Sequence, residues 1–162
     1  MPSLAEIQAK FGAEIDESSF RDNRRIVVPS AKIYEILSWL KDGGFNMLVD
    51  VTAVDYLEYP EATDRFHVIY SLLNMDSGER LIVKTPLNLP ELELPTVTTL
   101  WMGADWMERE VYDMYGIVFA GHPDLRRILM PDEFTAYPLR KDYPRKGFGE
   151  RHNFPVITRA ES

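Results

Sequence analysis

Apolar residues recur at helical spacing from the start of the chain. Leu4, Ile7 and Phe11 follow Ser3, a suitable N-cap, and Glu6 stands three residues on, as in a capping box. Arg25-Ile26-Val27-Val28 then reads as a short strand stopped by Pro29. Ser30 can cap a second helix, in which Ile33, Ile36, Leu37 and Leu40 form one stripe and Gly43-Gly44 supply the stop. After this helix–strand–helix unit the period changes. Phe45 to Tyr56 is rich in β-branched residues, with Leu48, Val49, Val51 and Val54 fit for a buried sheet. Arg65 to Met75 and Glu79 to Thr85 form two strands of a hairpin across Asp76-Ser77-Gly78. His67 lies mid-strand between Phe66 and Val68, where a lone histidine is expected to be packed or solvent-facing.

Pro86, Pro90 and Pro95 predict an extended connector, and Thr96 or Thr98 opens a short helical turn through Leu100, Trp101 and Met102. A third helix follows. Asp105 is placed as its N-cap with Glu108 completing a capping box, and Met107, Val111 and Met114 share an apolar face. Arg109 and Asp113 stand i,i+4 and are expected to pair, at about 0.3–0.5 kcal/mol if exposed. Gly116 is set to end the helix in a left-handed conformation. Ile117-Val118-Phe119 reads as a short strand leading into the Gly121-His122-Pro123 turn. Glu108, Arg109, Glu110 and Asp113, then His122, Asp124, Arg126 and Arg127, place many alternating charges beside apolar anchors. That density suits a buried polar network or a protein interface.

Beyond Met130 the chain is punctuated by prolines, and Phe134, Tyr137, Tyr143, Phe148 and Phe154 alternate with Arg140, Lys141, Arg145, Lys146 and Arg151. Disordered tails are poor in aromatics. Two readings stand side by side: an arm that orders on a partner, or a strap packed on its own domain. The expected division is a domain over residues 1–130 and an extended interface arm over residues 131–162.

Composition narrows the chemistry. The 162 residues fit one domain with a real core. A net charge of −8 argues against a nucleic-acid partner. The charge is uneven: residues 121–162 hold eight Lys/Arg against six Asp/Glu, and residues 1–120 hold ten against twenty. With no cysteine there is no disulfide, thiolate cluster ligand or cysteine nucleophile. The amino-terminal stretch lacks the basic and apolar regions of a signal peptide, and no apolar run reaches the roughly 20 residues of a membrane span. The expectation is a soluble, cytoplasmic protein. The three histidines, His67, His122 and His152, show no metal-ligand spacing, and no phosphate loop, dinucleotide fingerprint or nucleophile elbow is present. Glu108, Asp113 and His122 retain one enzymatic reading, as acid–base groups.

Glu108-Arg109-Glu110, Asp113, Gly116-Ile117, Gly121-His122-Pro123 and Leu125-Arg126-Arg127-Ile128-Leu129 closely resemble the signature of the thirty-kilodalton subunit (the NuoC family) of respiratory NADH:quinone oxidoreductase, complex I. Pro138-Leu139-Arg140-Lys141-Asp142-Tyr143 resembles the next block of the same family. The resemblance implies an α+β fold: a mixed, largely antiparallel sheet packed with helices, then an extended C-terminal arm. It implies a peripheral-arm subunit with no catalytic, cofactor-binding or metal residues of its own. Iron–sulfur clusters, flavin and quinone would be bound by partner subunits. The expected partners are the quinone-reducing subunit and an iron–sulfur subunit, at the cytoplasmic face of the bacterial inner membrane, with membrane contact only through the complex. Some family members carry a long additional tail or a fusion to the quinone-reducing subunit, and neither has a counterpart in the pattern. The same resemblance leaves open a scaffold in a related machine, a ferredoxin-driven quinone reductase or membrane-bound hydrogenase. Charge reversal of Arg126 and Arg127 is expected to release the chain from its complex.

Overall fold

The computed structural model describes residues 3–21 and 23–149. Helix α1 (Leu4–Phe11) begins with the expected box: Ser3 Oγ accepts from the Glu6 amide at 3.2 Å, and Glu6 accepts from the Ser3 amide at 2.7 Å. Strands β1 (Asp16–Phe20) and β2 (Asn23–Val27) form an antiparallel hairpin. Sequence reading predicted no strand at β1, because Asp-Glu-Ser-Ser has neither apolar alternation nor β-branched residues. Its pairing with β2 carries it instead.

Ser30 does not cap α2 (Ile33–Asp42) as expected. It opens a 3-10 turn, Ser30–Lys32, and the helix starts behind Lys32 with no side-chain cap. The stripe Ile33, Ile36, Leu37 and Leu40 is fully buried, as its spacing requires.

Strands β3 (Met47–Asp55), β4 (Phe66–Leu73) and β5 (Arg80–Leu87) complete a five-stranded sheet of order β1-β2-β5-β4-β3. Within it, β2 and β5 run parallel and the other neighbours antiparallel. Ile26, Val83, Tyr70 and Val51 sit opposite one another across four strands, and all are buried. This row faces a core shared with α1, α2 and α3. The fold is the expected α+β class.

The structure extends β5 through Pro86, where the sequence suggested a break. Val28 makes the last backbone bond from the β2 side, to Lys84 O, so beyond it β5 is paired to β4 alone. A proline is tolerated at such an edge. The connector contains a further short strand, β6 (Glu93–Pro95), which pairs in parallel with β7 (Val118–Ala120) after α3 (Ala104–Tyr115). The expected helical turn is present: the Leu100 and Trp101 amides both donate to the Val97 carbonyl at 2.9 Å.

Candidate functional site

Helix α3 organises the region around the sequence signature. It begins two residues earlier than predicted, behind Gly103, and no side chain caps it. Asp105 therefore lies inside the first turn, and Glu108 does not complete a capping box. The Glu108 side chain is fully buried and crosses to the connector, where Oε2 accepts from Thr96 Oγ1 at 2.6 Å and Oε1 from the Val97 amide at 2.7 Å. Burial pushes its carboxyl above the ordinary Glu value, against the opposing pull of these two bonds and His122. His122 is equally enclosed. Its Nδ1 accepts from the Asp124 amide at 3.0 Å, which leaves Nε2 to donate to the Asp105 carbonyl at 3.1 Å.

The expected Arg109–Asp113 pair does not form. Arg109 donates to the carbonyls of Arg126 and Arg127 and lies 5.1 Å over the Trp106 ring. Asp113, with no side-chain exposure, receives the amides of Ile128, Leu129 and Met130 at 3.0, 2.7 and 2.9 Å on one oxygen. Its other oxygen takes Arg127 Nη1 at 2.7 Å. Burial would raise this carboxyl, but the amides and the guanidinium prevail and hold it below the usual Asp value. The helix thus clasps the loop that follows β7 at two places one turn apart. Both clasps explain why a simple i,i+4 reading failed: each charge found a better-enclosed partner across the loop.

The chain beyond Met130, as far as residue 149, lies back on this surface. Phe134 is buried. Leu139 donates to the Met114 carbonyl at 3.2 Å and Arg140 Nε to the Tyr115 carbonyl at 2.6 Å, which caps the open end of α3 with a cation. The Arg140 guanidinium stacks 4.4 Å from the Tyr137 ring, and Arg127 lies 5.3 Å from the same ring. Gly116, at φ +74°, has to be glycine here: a Cβ would stand 2.5 Å from Tyr137 and 2.7 Å from Arg140. The Lys141 amide and Arg65 both donate to Asp55 Oδ2, and Arg65 also reaches Asp142 at 2.6 Å. Tyr143 sits edge-on between Phe134 and Phe148.

Residues 26–149 match the family described as the respiratory-chain NADH dehydrogenase 30 kDa subunit. This chain belongs to that family. It is 43% identical over 149 residues to the corresponding subunit of the NADH-quinone oxidoreductase of Geobacter metallireducens, covering 91% of each chain. Against subunit 5 of the Thermus thermophilus enzyme it is 43% identical, over 87% of this chain and 70% of that one. Among solved structures it is similar to a trypsin-resistant fragment of Nqo5, with a TM-score of 0.68 and 41% identity over 75% of this chain and 96% of that fragment. It also resembles a chain of an archaeal membrane-bound sulfane sulfur reductase, with a TM-score of 0.75 and 26% identity over 98% of this chain and 93% of that one.

Within the chain the signature residues divide into two groups. Glu108, Arg109, Asp113, Gly116, His122, Arg127, Arg140 and Asp142 make the internal bonds just described. Leu125 packs against the core, and Gly121 takes φ +81° in the turn. Glu110, Pro123 and the Lys141 side chain face solvent, as does Arg126, which forms a two-pronged pair with Asp124 at 2.7 Å on both arms. The neighbouring charges Arg126 and Arg127 therefore have opposite destinations. Asp55, Arg65 and Thr96 escaped sequence reading as partners of the signature because their bonds to Lys141, Asp142 and Glu108 join residues far apart in the chain. Their one signal was a carboxylate, Asp55, ending a strand of buried residues.

Glu108, Asp113 and His122 all have zero side-chain exposure, so the acid–base reading finds no group open to a substrate. Glu108 lies 4.0 Å from His122, while Asp113 belongs to the separate Arg127 clasp. Among the described residues there is no group of three or more potential metal ligands, and no helix long and apolar enough to cross a membrane. His152 and Phe154 lie outside the described residues.

Proposed function

We propose that this chain is a docking and scaffolding component of the peripheral arm of a proton-translocating NADH:quinone oxidoreductase. It holds the quinone-reducing subunit and an iron–sulfur subunit in register at the cytoplasmic face of the bacterial inner membrane. Electrons from NADH pass through the flavin, the clusters and the quinone of those neighbours, and the residues of this chain supply shape and charge. The observation that carries this reading is the use made of the signature: its buried charges lock the post-helix loop and strap to the domain. A surface fixed in this way presents apolar and aromatic side chains without the cost of ordering them on binding. Met102 is 89% exposed, Trp106 65% and Leu129 60%, an unusual display for large apolar residues and one suited to interface anchors.

The docking role separates into two experiments, because Arg127 is an internal clasp and Arg126 is not. Arg126→Glu should weaken retention of the chain in the complex on native gels while leaving the unfolding midpoint of the isolated chain unchanged. Full retention, or a loss that tracks a fall in stability, would count against a docking role for that surface. Trp106→Ala gives the same test for the apolar display.

The likeness to the archaeal sulfane sulfur reductase chain over nearly the whole length supports a second reading. The same scaffold would serve a related machine, such as a ferredoxin-driven reductase or a membrane-bound hydrogenase. Membranes that reduce quinone with NADH only when this chain is present support the first reading; dependence on reduced ferredoxin supports the second.

A further inference from the structure

The opposite face of the sheet carries a feature the α3 clasps do not use. Arg25 on β2 pairs with Ile82, two residues from Lys84 on β5; Lys84 pairs with Ile69, two residues from His67 on β4. Residues two apart share a face, so the three basic side chains run diagonally across adjacent strands. They line one cleft of about 540 Å³ together with Tyr56, Tyr59 and two carboxylates, Glu61 and Asp64.

The cleft's positive groups oppose one another. Burial and the neighbouring Arg25 push Lys84 below the ordinary Lys value, and burial and Lys84 push His67 below the ordinary His value against the pull of Asp64. Glu61 and Asp64 share the cleft, yet neither forms an ion pair with Lys84 or His67 among the described residues. Lys84 Nζ has no ion pair or hydrogen bond among the described residues, and His67 Nδ1 is buried without a partner among them. Asp64, the acidic residue closest in role, is already engaged by Asn88 at 2.7 Å and by Thr63 at 2.8 Å. Lys84 is thus a half-buried cation with no ion pair among the described residues.

An apolar strip leads away from the cleft on the same face. Ile82 and Leu73 run to the exposed Met47 and Val49, which line a second groove of about 310 Å³. A free anion would pair with Lys84 and leave this strip wet. A protein segment covers both.

We propose that this open sheet face docks a partner protein through an acidic segment that seats a carboxylate between Lys84 and His67. The inference rests on the chain being part of an assembled complex, and it assigns a second contact surface remote from the Arg126 side. Opposite charges brought together in this way set register and partner choice.

The test is amine acetylation read by mass spectrometry, on the isolated chain and on the intact native complex. Lys84 should react in the isolated chain and at least about tenfold more slowly in the complex, as expected for a buried interface core. A carbodiimide should join Lys84 directly to an Asp or Glu of a neighbouring subunit. Lys84→Glu should reduce retention in the complex, and Lys84→Arg should restore it. Equal labelling of Lys84 in a chain that co-purifies with its complex overturns this inference and leaves the Arg126-side docking intact. Protection of the isolated chain by inorganic phosphate, with no cross-link in the complex, also overturns it, in favour of a small-anion site. Recovery of the chain without any complex overturns both readings.

Discussion

Asp113 is the position at which the fold of the signature can be tested most sharply. Its carboxylate receives three consecutive amides, at 2.7–3.0 Å, and the Arg127 guanidinium at 2.7 Å. Asp113→Ala strands those donors. An unsatisfied buried donor costs about 1–3 kcal/mol, but this loop is half-buried and its amides can turn partly to water. The better guide is the loss on breaking one partner of a buried pair, about 3–5 kcal/mol. Urea unfolding of the isolated chain reads this directly. With a slope of about 1–3 kcal/mol/M, the midpoint should fall by roughly 1–5 M at unchanged slope. A loss below about 1 kcal/mol would refute the clasp as a determinant of the fold. The acid limb gives an independent check. The folded carboxyl lies below the ordinary Asp value, so its stabilisation is complete above that value, near ~3.9, and is lost as pH falls through the lower folded value. Asp113→Asn should therefore lower stability at neutral pH and flatten its decline in acid; an unchanged acid limb would refute the assignment.

Glu108 has the opposite sign. Its carboxyl is raised, so the folded state holds the proton to higher pH than the unfolded chain, and stability falls as pH rises from the ordinary Glu value through the folded one. Glu108→Gln should remove that slope in pH-dependent unfolding; a persistent slope would assign it to another group. Gly116→Ala should free the strap, since the new Cβ meets Tyr137 at 2.5 Å and the left-handed φ is itself unfavourable. Limited trypsin digestion should cut the native chain first at the exposed Arg145 and Lys146, and the variant also after Arg127 and Arg140; an identical pattern in both would contradict the packing. Tyr70 is fully buried and its hydroxyl has no partner among the described residues, so Tyr70→Phe should be neutral or stabilising by about 1 kcal/mol in thermal unfolding. A clear loss would reveal a bond to that hydroxyl.

Much of this architecture was legible residue by residue. Ile33, Ile36, Leu37 and Leu40 announce their helix because one period satisfies both backbone and core, and Gly116 announces the helix end because few other residues accept its φ. The misses share a cause. Asp105, Glu108, Arg109 and Asp113 invite local pairings at i,i+3 and i,i+4, yet three of them bond to residues 11–18 positions away. Spacing within a helix reports neighbours along its surface and is silent about a loop returning from β7. Strand β1 was invisible for a related reason: its polar residues join the sheet through backbone pairing with β2, which leaves no side-chain pattern. Arg126 and Arg127 show the limit most plainly, since two identical adjacent residues serve solvent and interior respectively.

The proposed role, an assembled and non-catalytic part of a larger enzyme, is best tested by purifying the native complex through an affinity tag on this chain. Partners would be identified by mass spectrometry and the eluate assayed for NADH:quinone reduction, beside the isolated chain. Stoichiometric recovery of a quinone-reducing subunit and iron–sulfur subunits is expected, with activity in the complex and none in the chain alone. Recovery of this chain by itself, or oxidoreductase turnover by the isolated chain, would contradict it.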